Sequence, residues 1–458
     1  MYTTKGYVYD DENLAFIPAE IYYMENKSII SKYTTNKAEY EKIESVLHEK
    51  KEQEYTAINK LLTVAGIAIT YDCQLRCNYC SNNSTEHNVF KTDINDIVCF
   101  VKYLIKNVKI KRIIDKNSNT LTIYLSGGGE PTYDWDLFCN VVDLIRELCD
   151  KENIDCKINL TTNGILNDKQ IDYIHKNINS IMVSFDGHPK IQDKNRRFYD
   201  KSKTSDIVVN SIRALDGNGS NYSIRSTLWH DELIYFEDMF HYIYDNFKNY
   251  GAWSINPVVS AGRAKNYSAA IYEEEIDKFF NTYIKVKNEA ISEYGKSNLG
   301  LLFITNELCG IICGIPDANS PFLYPNKNIG ICVDAADLSP IVGRIEDGKV
   351  VFEPNYSKEI FNVYYNRYFE CKNCVAFRFC AGGCPVKRMR PNNLASADFE
   401  CEITKKYYKY IFDKILDGKY VFGWYGKKVH IMELNCDIIQ ITNESIESKN
   451  YINDQTGD

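Results

Sequence analysis

The sequence lacks a membrane-spanning run, a secretory signal and an excess of basic residues. Its longest apolar stretch, from Leu61 to Thr70, falls far short of the ~18 residues that a membrane span needs. The N-terminus, MYTTKGYVYDDE, has no basic start followed by an apolar segment, as a secretory signal would have. These absences predict a cytoplasmic protein with no membrane partner.

An excess of charge of one sign is missing as well. The 54 basic and 62 acidic residues give a net charge of −8, which leaves no basic surplus to neutralise phosphate groups. A nucleic-acid partner is therefore not expected. No internal repeat or low-complexity tract is present. The length of 458 residues predicts two or three domains at about 150 residues each, and 44% apolar residues supply a substantial core.

Cysteine, in contrast, is abundant. The chain has 16 cysteines and no export signal, which favours metal binding over disulfides because cytosolic thiols are kept reduced. Cys73, Cys77 and Cys80 follow a CxxxCxxC spacing, with Tyr79 directly before the last thiol. Three thiolates on one loop can hold three irons of a [4Fe-4S] cluster and leave the fourth iron open to a substrate. A zinc knuckle and a disulfide pair are the alternatives.

Strand-length apolar runs alternate with helical periodicities from about residue 66 to residue 287. The predicted strands are Ala65–Thr70, Leu121–Leu125, Lys157–Leu160, Ile181–Phe185, Ser223–Leu228 and Trp253–Val259. Asp93 is a predicted N-cap, and apolar stripes from Ile94 to Ile105 and from Phe138 to Leu148 predict two packed helices. Six such units predict a parallel sheet with right-handed crossovers. The periodicity fits an open six-unit barrel and a flat doubly wound sheet alike.

Distinctive motifs follow the ends of these predicted strands. Ser126-Gly-Gly-Gly-Glu-Pro-Thr132 places glycines where backbone can approach a ligand, and it lacks the Lys-Ser/Thr pair of a phosphate loop. Thr161-Thr-Asn-Gly164, Ser184-Phe-Asp-Gly187 and Asn256-Pro-Val-Val-Ser-Ala-Gly-Arg-Ala264 come next. Together with the cysteine loop, these motifs resemble those of the radical S-adenosylmethionine (radical SAM) enzymes, in that family's order.

The resemblance implies a fold, a cluster and a set of cofactor contacts. The implied fold is α/β, a partial (β/α)6 TIM-like barrel rather than a doubly wound sheet. The implied ligands of the catalytic [4Fe-4S] cluster are Cys73, Cys77 and Cys80. The implied contacts to S-adenosylmethionine are Tyr79 beside the adenine, Gly128, Gly129 and Glu130 at the methionine amino group, Ser184 and Asp186 at the ribose, Arg196 at the methionine carboxylate, and Pro257 and Val258 near the adenine. Arg197 competes with Arg196 for the carboxylate.

A second cysteine array lies towards the C-terminus and resembles the SPASM domain, an auxiliary iron–sulfur module of radical SAM enzymes. One implied auxiliary [4Fe-4S] cluster has the ligands Cys371, Cys374, Cys380 and Cys401, and the other has Cys309, Cys313, Cys332 and Cys384. The alternative is a zinc ribbon, since paired cysteines also suit zinc. If Cys309 and Cys313 do not both bind, one iron of the second cluster is free for a substrate thiolate.

One departure from the SPASM pattern concerns a turn. The family usually has glycine five residues before the Cys332 position, where this chain has Lys327. We expect the turn to form around Asn326 and Asn328, because asparagine tolerates left-handed backbone.

The expected domains follow from these motifs. They are an N-terminal extension and candidate leader-peptide-binding module (1–60), the radical SAM partial barrel (61–270), a linker helix (271–305), the SPASM domain (306–420), and C-terminal strands with a polar tail (421–458). Within the extension we expect a hairpin from Gly6 to Ile30 and a charged helix from Asn36 to Glu54.

The resemblance also implies an activity. The enzyme would cleave S-adenosylmethionine reductively and use the 5′-deoxyadenosyl radical to modify a ribosomally made peptide or protein side chain by a thioether or carbon–carbon crosslink. The alternative is an anaerobic sulfatase maturase, which forms formylglycine from Cys or Ser. That family places a carboxylate base directly after the Cys332 position, whereas here Val333 precedes the candidate catalytic base Asp334. The implied partners are a peptide substrate and an electron donor (a reductase, flavodoxin or ferredoxin). A non-enzymatic iron–sulfur or zinc protein is the alternative of another class.

Overall fold

The structure is a computed structural model of the whole chain. It describes residues 2–4, 7–10, 15–18, 61–84, 92–114, 116–266, 273–295, 298–301, 304, 321–332, 341–353, 371, 374, 376, 380, 382–384, 394–416, 420–425 and 428–433. The predicted charged helix, Asp334 and two of the predicted cluster ligands, Cys309 and Cys313, lie outside these residues.

Three short N-terminal strands form an antiparallel sheet in the order β1-β2-β3. They are β1 (Tyr2–Thr4), β2 (Tyr7–Asp10) and β3 (Ala15–Pro18). The hairpin expected from Gly6 to Ile30 corresponds to β2 and β3, which pair from Tyr7↔Pro18 to Asp10↔Ala15. Strand β1 was not expected.

A parallel sheet with intervening helices follows. Its strands are β4 (Val64–Ile67), β5 (Thr120–Leu125), β6 (Asp155–Thr162), β7 (Ser180–Ser184), β8 (Tyr222–Leu228), β9 (Trp253–Pro257) and β10 (Leu299–Leu301). Its α-helices are α1 (Ile94–Ile114), α2 (Trp135–Asp150), α3 (Asp168–Asn177), α4 (Pro189–Asn195), α5 (Ser205–Gly217), α6 (Phe236–Asn246) and α7 (Glu273–Tyr294), with 3-10 turns at His230–Tyr235 and Gly262–Ala264.

The strand order distinguishes the two architectures that the sequence leaves open. From β4 to β10 each strand pairs in parallel with the next one along the chain. A doubly wound sheet reverses its order at a switch point, and this one does not. The sheet is therefore wound in one direction, as in a partial (β/α)6 barrel.

The sequence-based elements agree with the structure within a few residues. All six predicted strands are present, and β6 begins two residues before the predicted Lys157. In α1 the predicted stripe is buried at Ile97, Val101 and Leu104. In α2, Val141 is fully buried. Cys149 lies in the same helix and is fully buried with the predicted apolar stripe, so it is a core residue.

The C-terminal part continues the barrel sheet. Strands β11 (Phe322–Leu323), β12 (Asn328–Gly330), β13 (Ile341–Glu346) and β14 (Lys349–Phe352) extend it beyond β4. β11 pairs in parallel with β4, and the remaining pairs are antiparallel. Gly66 makes the first contact possible, since a Cβ there would lie 1.7 Å from the ring of Phe322.

The turn between β11 and β12 corrects one expectation. The left-handed residue is Lys327 itself, with φ 69°, and not a neighbouring asparagine. Its N–H donates to the carbonyl of Tyr324 at 3.0 Å and closes the turn, while the Asn326 side chain accepts from the N–H of Asn328 at 3.2 Å. A lysine thus adopts a left-handed conformation that favours glycine, at a cost of about 1–2 kcal/mol.

Helix α8 (Leu394–Leu416) packs against α7, and β15 (Tyr420–Tyr425) and β16 (Lys428–Glu433) form a final antiparallel pair. The helix predicted around residues 272–293 is α7, and the predicted C-terminal strands are β15 and β16. Within the described residues, no helix combines the length and the apolar character that crossing a membrane requires.

Candidate active site

The cysteine loop follows β4 and is held by backbone hydrogen bonds on both sides. On one side the N–H groups of Gly129 and Glu130 donate to the carbonyls of Thr70 and Asp72 at 2.7 and 2.8 Å. On the other side the N–H of Asn78 donates to the carbonyl of Asn195 at 3.0 Å. The loops after β4, β5 and β7 therefore form one unit at the C-terminal edge of the sheet.

Three glycines permit this close packing. A Cβ at Gly129 would lie 1.9 Å from the carbonyl oxygen of Asp72, and one at Gly128, with φ 68°, would lie 2.5 Å from that of Thr70. A Cβ at Gly262 would lie 2.1 Å from the carbonyl oxygen of Cys80. Only glycine allows backbone to approach backbone so closely.

The thiols of the loop are surrounded by protein. Burial raises the pKa of Cys77 to about 12, although Arg196 and Arg263 act in the opposite direction. Burial also raises the pKa of Cys73 well above its usual value, with further increases from the charges of Cys77 and Glu130. Ionising these thiols together is therefore costly unless positive charge is supplied beside them.

Hydrogen bonds reach two of the sulfurs. Sγ of Cys73 accepts from the N–H of Leu75 at 3.3 Å and from Nδ2 of Asn163 at 3.7 Å. Sγ of Cys80 lies 3.4 Å from Oγ of Ser84, which donates to the carbonyl of Gly128 at 2.6 Å. Such contacts both orient a thiolate and adjust its basicity.

Glu130 is a buried carboxylate, 3% exposed, at the end of the glycine motif. Its Oε1 accepts from the hydroxyls of Thr132 and Thr162, each at 2.8 Å, and from the N–H of Thr132 at 3.2 Å. Its Oε2 accepts from the N–H of Asn163 at 2.6 Å. These four donors are neutral, and burial raises the pKa of Glu130 despite them. An ammonium group bound nearby would stabilise the ionised carboxylate.

Asp186 and Arg196 form a buried ion pair beside the loop. Nε of Arg196 donates to Oδ1 of Asp186 at 3.0 Å, and the side chains are 9% and 0% exposed. Burial alone would lower the pKa of Arg196, but Asp186, Tyr79 and Cys77 together raise it. The guanidinium carbon also lies 5.2 Å from the centre of the Tyr79 ring. The competitor Arg197 is exposed.

The same aspartate holds Tyr79. The Tyr79 hydroxyl donates to Oδ2 of Asp186, and the N–H of Thr227 donates to Oδ1 at 3.1 Å. Asp186 thus already has three protein partners, so its contact with a ribose remains a sequence-based prediction. The predicted ribose residue Ser184 ends β7, immediately before this pocket.

The predicted adenine contacts lie together. Tyr79, Val258 and Ala264 form a small apolar cluster, against which Cys77 and Trp229 pack. Pro257 ends β9 directly before Val258. An aromatic ring and an apolar strand end offer a surface suited to a flat heterocycle.

The geometry of the loop also bears on the zinc alternative. Among the described residues, no three His, Cys, Asp or Glu side chains lie where they could hold one metal ion. A zinc knuckle needs its thiolates on a single ion, about 2.3 Å from each sulfur. In a [4Fe-4S] cluster each thiolate binds a different iron, so the sulfurs lie further apart. The three half-buried thiols of one loop are the kind of donor set that such a cluster uses.

The second cysteine array is described in part. Burial raises the pKa of Cys380 to about 12, and the charges of Cys401, Cys374 and Cys371 raise it further, so these four predicted ligands are neighbours. Cys332, Cys374, Cys380 and Cys384 all pack against the barrel core.

Sequence reasoning overlooked several residues of the site. Asn163 contacts both Cys73 and Glu130, and Thr162 donates to Glu130. Arg263 donates from its backbone N–H to the carbonyl of Cys80 at 3.0 Å and from Nη1 to that of Cys77 at 3.1 Å. Asn163 and Arg263 lie within two motifs noted in the sequence, Thr161–Gly164 and Asn256–Ala264. Membership of these motifs was the only sequence feature that pointed to a role for them in the site.

Comparison with known proteins agrees with this geometry. Residues 67–243 match the model of the Radical SAM superfamily. This segment runs from the last residue of β4 into α6, so it contains the cysteine loop, the glycine motif and the Asp186–Arg196 pair.

Curated relatives and solved structures match this chain over most of their own length. The cysteine-type anaerobic sulfatase-maturating enzyme of Clostridium perfringens (strain ATCC 13124) is 21% identical over 364 residues, covering 75% of this chain and 95% of that protein. The solved structure of native anSMEcpe with bound AdoMet has a TM-score of 0.59 and 19% identity, covering 78% of this chain and 98% of that one. The same protein with AdoMet and the Cp18Cys peptide gives a TM-score of 0.58, 18% identity, and coverage of 78% and 98%.

Proposed function

Because this chain is a radical SAM enzyme, with its radical SAM domain at residues 67–243, we propose that it oxidises a side chain of a peptide or protein substrate. The observation that carries the proposal is the meeting of half-buried thiols and a buried carboxylate at one edge of the barrel sheet. Burial raises the pKa of both Cys77 and Glu130, so each ionised group is stabilised by a bound positive charge. For the thiolate this charge would be iron, and for the carboxylate an ammonium group.

We assign the roles as follows. Cys73, Cys77 and Cys80 hold the [4Fe-4S] cluster, and Glu130 with the backbone of Gly128 and Gly129 receives the methionine ammonium group. Arg196 receives the methionine carboxylate through its remaining guanidinium nitrogens, since Asp186 occupies Nε. Tyr79 and Val258 face the adenine.

When bound, the cluster and S-adenosylmethionine supply a one-electron reductive cleavage whose product removes a hydrogen atom from carbon. The chain's own residues contribute to that step by holding the cofactor-binding side chains in fixed positions. Asp186 fixes Tyr79 and Arg196, while Thr162 and Thr132 fix Glu130. Glu130, Asp186 and Arg196 are buried, so their charges act at low dielectric, where electrostatic contacts are stronger than in water. Fixed geometry of this kind lowers the entropic part of the barrier.

The first candidate reaction is oxidation of a cysteine side chain to an aldehyde. It is supported by similarity along nearly the full length of a sulfatase-maturating enzyme, and by the peptide bound to anSMEcpe. The substrate would lose two electrons and two protons from its β-carbon and thiol. Sulfur would leave as hydrogen sulfide, and water would supply the aldehyde oxygen. The deoxyadenosyl group of S-adenosylmethionine would take up one hydrogen atom, and an auxiliary cluster held by the second cysteine array would supply the acceptor for the remaining electron. Asp334 is the candidate base for the proton.

The second candidate is a crosslink within a ribosomally made peptide. One observation favours it: a quarter of this chain lies outside the match to the sulfatase-maturating enzyme, since 75% is covered. In this proposal, residues in the unmatched part of the chain bind a leader peptide. The crosslink removes two hydrogens and retains the sulfur, so its product differs in mass from the aldehyde.

The test uses the full chain, purified and reconstituted without oxygen. We expect about twelve irons per chain if all three sites carry [4Fe-4S] clusters. We expect 5′-deoxyadenosine from the wild type and none from Cys77→Ala, with Cys99→Ala as a matched control outside every assigned site. Zinc without sulfide, or deoxyadenosine from Cys77→Ala, would refute the proposal. Mass spectrometry of a cysteine-containing sulfatase peptide then separates the two reactions.

A further inference from the structure

The side chain of Asn163 lies beside the cysteine loop, and none of the roles assigned above accounts for it. Asn163 directly follows β6 and is 7% exposed. Its Nδ2 lies 3.7 Å from Sγ of Cys73, within hydrogen-bonding range of a sulfur acceptor. We infer that Asn163 is a positioning residue that sets the reduction potential of the cluster proposed at this loop, through an N–H···S hydrogen bond to Cys73.

The orientation of the amide is fixed by its other contacts. Oδ1 of Asn163 accepts from the N–H of Ile165 at 3.0 Å. It also faces Nε2 of Gln74 at 3.5 Å. Both partners are donors, so the oxygen has to point towards them and the amide nitrogen has to point towards Cys73. A flipped amide would place nitrogen against two N–H groups.

The same residue also contacts the carboxylate proposed for the methionine ammonium group. The backbone N–H of Asn163 donates to Oε2 of Glu130 at 2.6 Å. A side-chain substitution leaves this backbone hydrogen bond available. The sulfur contact and the Glu130 contact of one residue can therefore be tested separately.

The expected direction follows from charge. One-electron reduction adds negative charge to the cluster and its thiolates, and an N–H donor to a thiolate stabilises the reduced form. Removing that donor makes reduction harder and lowers the midpoint potential. A tenfold decrease in the reduction equilibrium constant corresponds to about 59 mV for a one-electron couple. We expect a decrease of about this size.

The inference rests on the proposed cluster, and the experiment distinguishes a failure of either. The full chain is reconstituted anaerobically and titrated with a reductant while EPR spectra are recorded. The signal that changes on addition of S-adenosylmethionine identifies the cluster on the Cys73 loop. The variants are Asn163→Ala, which removes the amide, and Asn163→Asp, which keeps the oxygen facing Ile165 and removes the donor.

Asn78 supplies matched controls in the same loop. Its amide contacts Asn195 at 3.1 Å and the Trp229 ring nitrogen at 3.2 Å rather than a sulfur. Asn78→Ala should leave the midpoint potential unchanged, whereas both Asn163 variants should lower it. Asn78→Asp adds a negative charge to the loop without removing a donor to sulfur, so it should lower the potential less than Asn163→Asp does. The response to S-adenosylmethionine should persist in Asn163→Ala, because the bond to Glu130 comes from the backbone.

Three results would overturn the inference. The Asn163 variants could keep the wild-type potential, or the Asn78 variants could lower it equally. Both Asn163 variants could also fail to load the cluster while both Asn78 variants load, which would assign Asn163 to assembly instead. A wild-type protein without any cluster that responds to S-adenosylmethionine would refute the proposed function itself, and this inference with it.

Discussion

Breaking the ion pair between Asp186 and Arg196 has a calculable effect on stability. The two side chains are 0% and 9% exposed, and their ionised atoms lie 3.0 Å apart. Asp186→Asn keeps the side-chain shape but leaves the guanidinium group buried without a counter-charge. Removing one partner of a buried pair costs about 3–5 kcal/mol. We expect the free energy of unfolding of the metal-free protein to fall by that amount.

The double variant makes the prediction sharper. Arg196→Met removes the other charge and leaves Asp186 unpaired, so it should be similarly destabilising. Once one charge is absent, removing the second relieves an unpaired buried charge. The double variant should therefore be less destabilised than the sum of the single variants, by at least about 2 kcal/mol.

The assay is urea denaturation of reduced, chelator-treated protein, followed by tryptophan fluorescence, with equal m-values as a check that the variants unfold alike. The exposed pair Lys285–Glu237, 60% and 41% exposed, is the matched control. The same cycle there should give a coupling of about 0–1 kcal/mol. If the Asp186 and Arg196 variants were additive within about 0.5 kcal/mol, the reasoning about this buried pair would be wrong.

Three further predictions follow from the loop and the turn. Gly129→Ala places a methyl group 1.9 Å from the Asp72 carbonyl and should remove about four of the roughly twelve irons expected per chain, measured by iron and sulfide analysis; Gly217→Ala, where a Cβ meets nothing within 4 Å, is the control. Lys327→Gly should raise the free energy of unfolding by about 1 kcal/mol by relieving the positive φ, whereas Lys327→Ala should not; equal effects would contradict this. Cluster loading should accelerate from about pH 7 to about pH 9, because Cys77 must ionise and its pKa is raised above that window; a flat rate would refute the role of this thiol. Stopped-flow absorbance of the forming cluster measures that rate.

The barrel strands could be predicted from the sequence because each is a short apolar run buried in the sheet. The cysteine loop and the glycine motif were also visible, since their chemistry depends on residue type and spacing. Of the two candidate arginines, Arg196 is buried beside Tyr79 and Arg197 is exposed, and Asp186 at 3.0 Å compensates the buried charge of Arg196. Its contact with the methionine carboxylate stays a prediction.

Contacts between distant segments could not be predicted in the same way. Nothing local indicates that Phe322 packs onto Gly66, or that β11 pairs with β4. The conformation of Lys327 was misjudged because local propensity favours asparagine in left-handed backbone, while the hydrogen bond to Tyr324 fixes the lysine there. Asn163 was noted only as part of the Thr161–Gly164 motif, because its contact with Cys73 spans 90 positions of the chain.

The parallel pairing of β11 with β4 joins the C-terminal strands directly to the first strand of the barrel sheet. β4 ends at Ile67 and leads into the cysteine loop. β11 is therefore hydrogen-bonded to the strand that positions this loop. Deleting all residues after α7 would remove the strand that pairs with β4. The N–H and C=O groups of β4 on that side would be unpaired, and such an edge is prone to aggregation. Conversely, a substrate that displaced the C-terminal strands would also displace the cysteine loop.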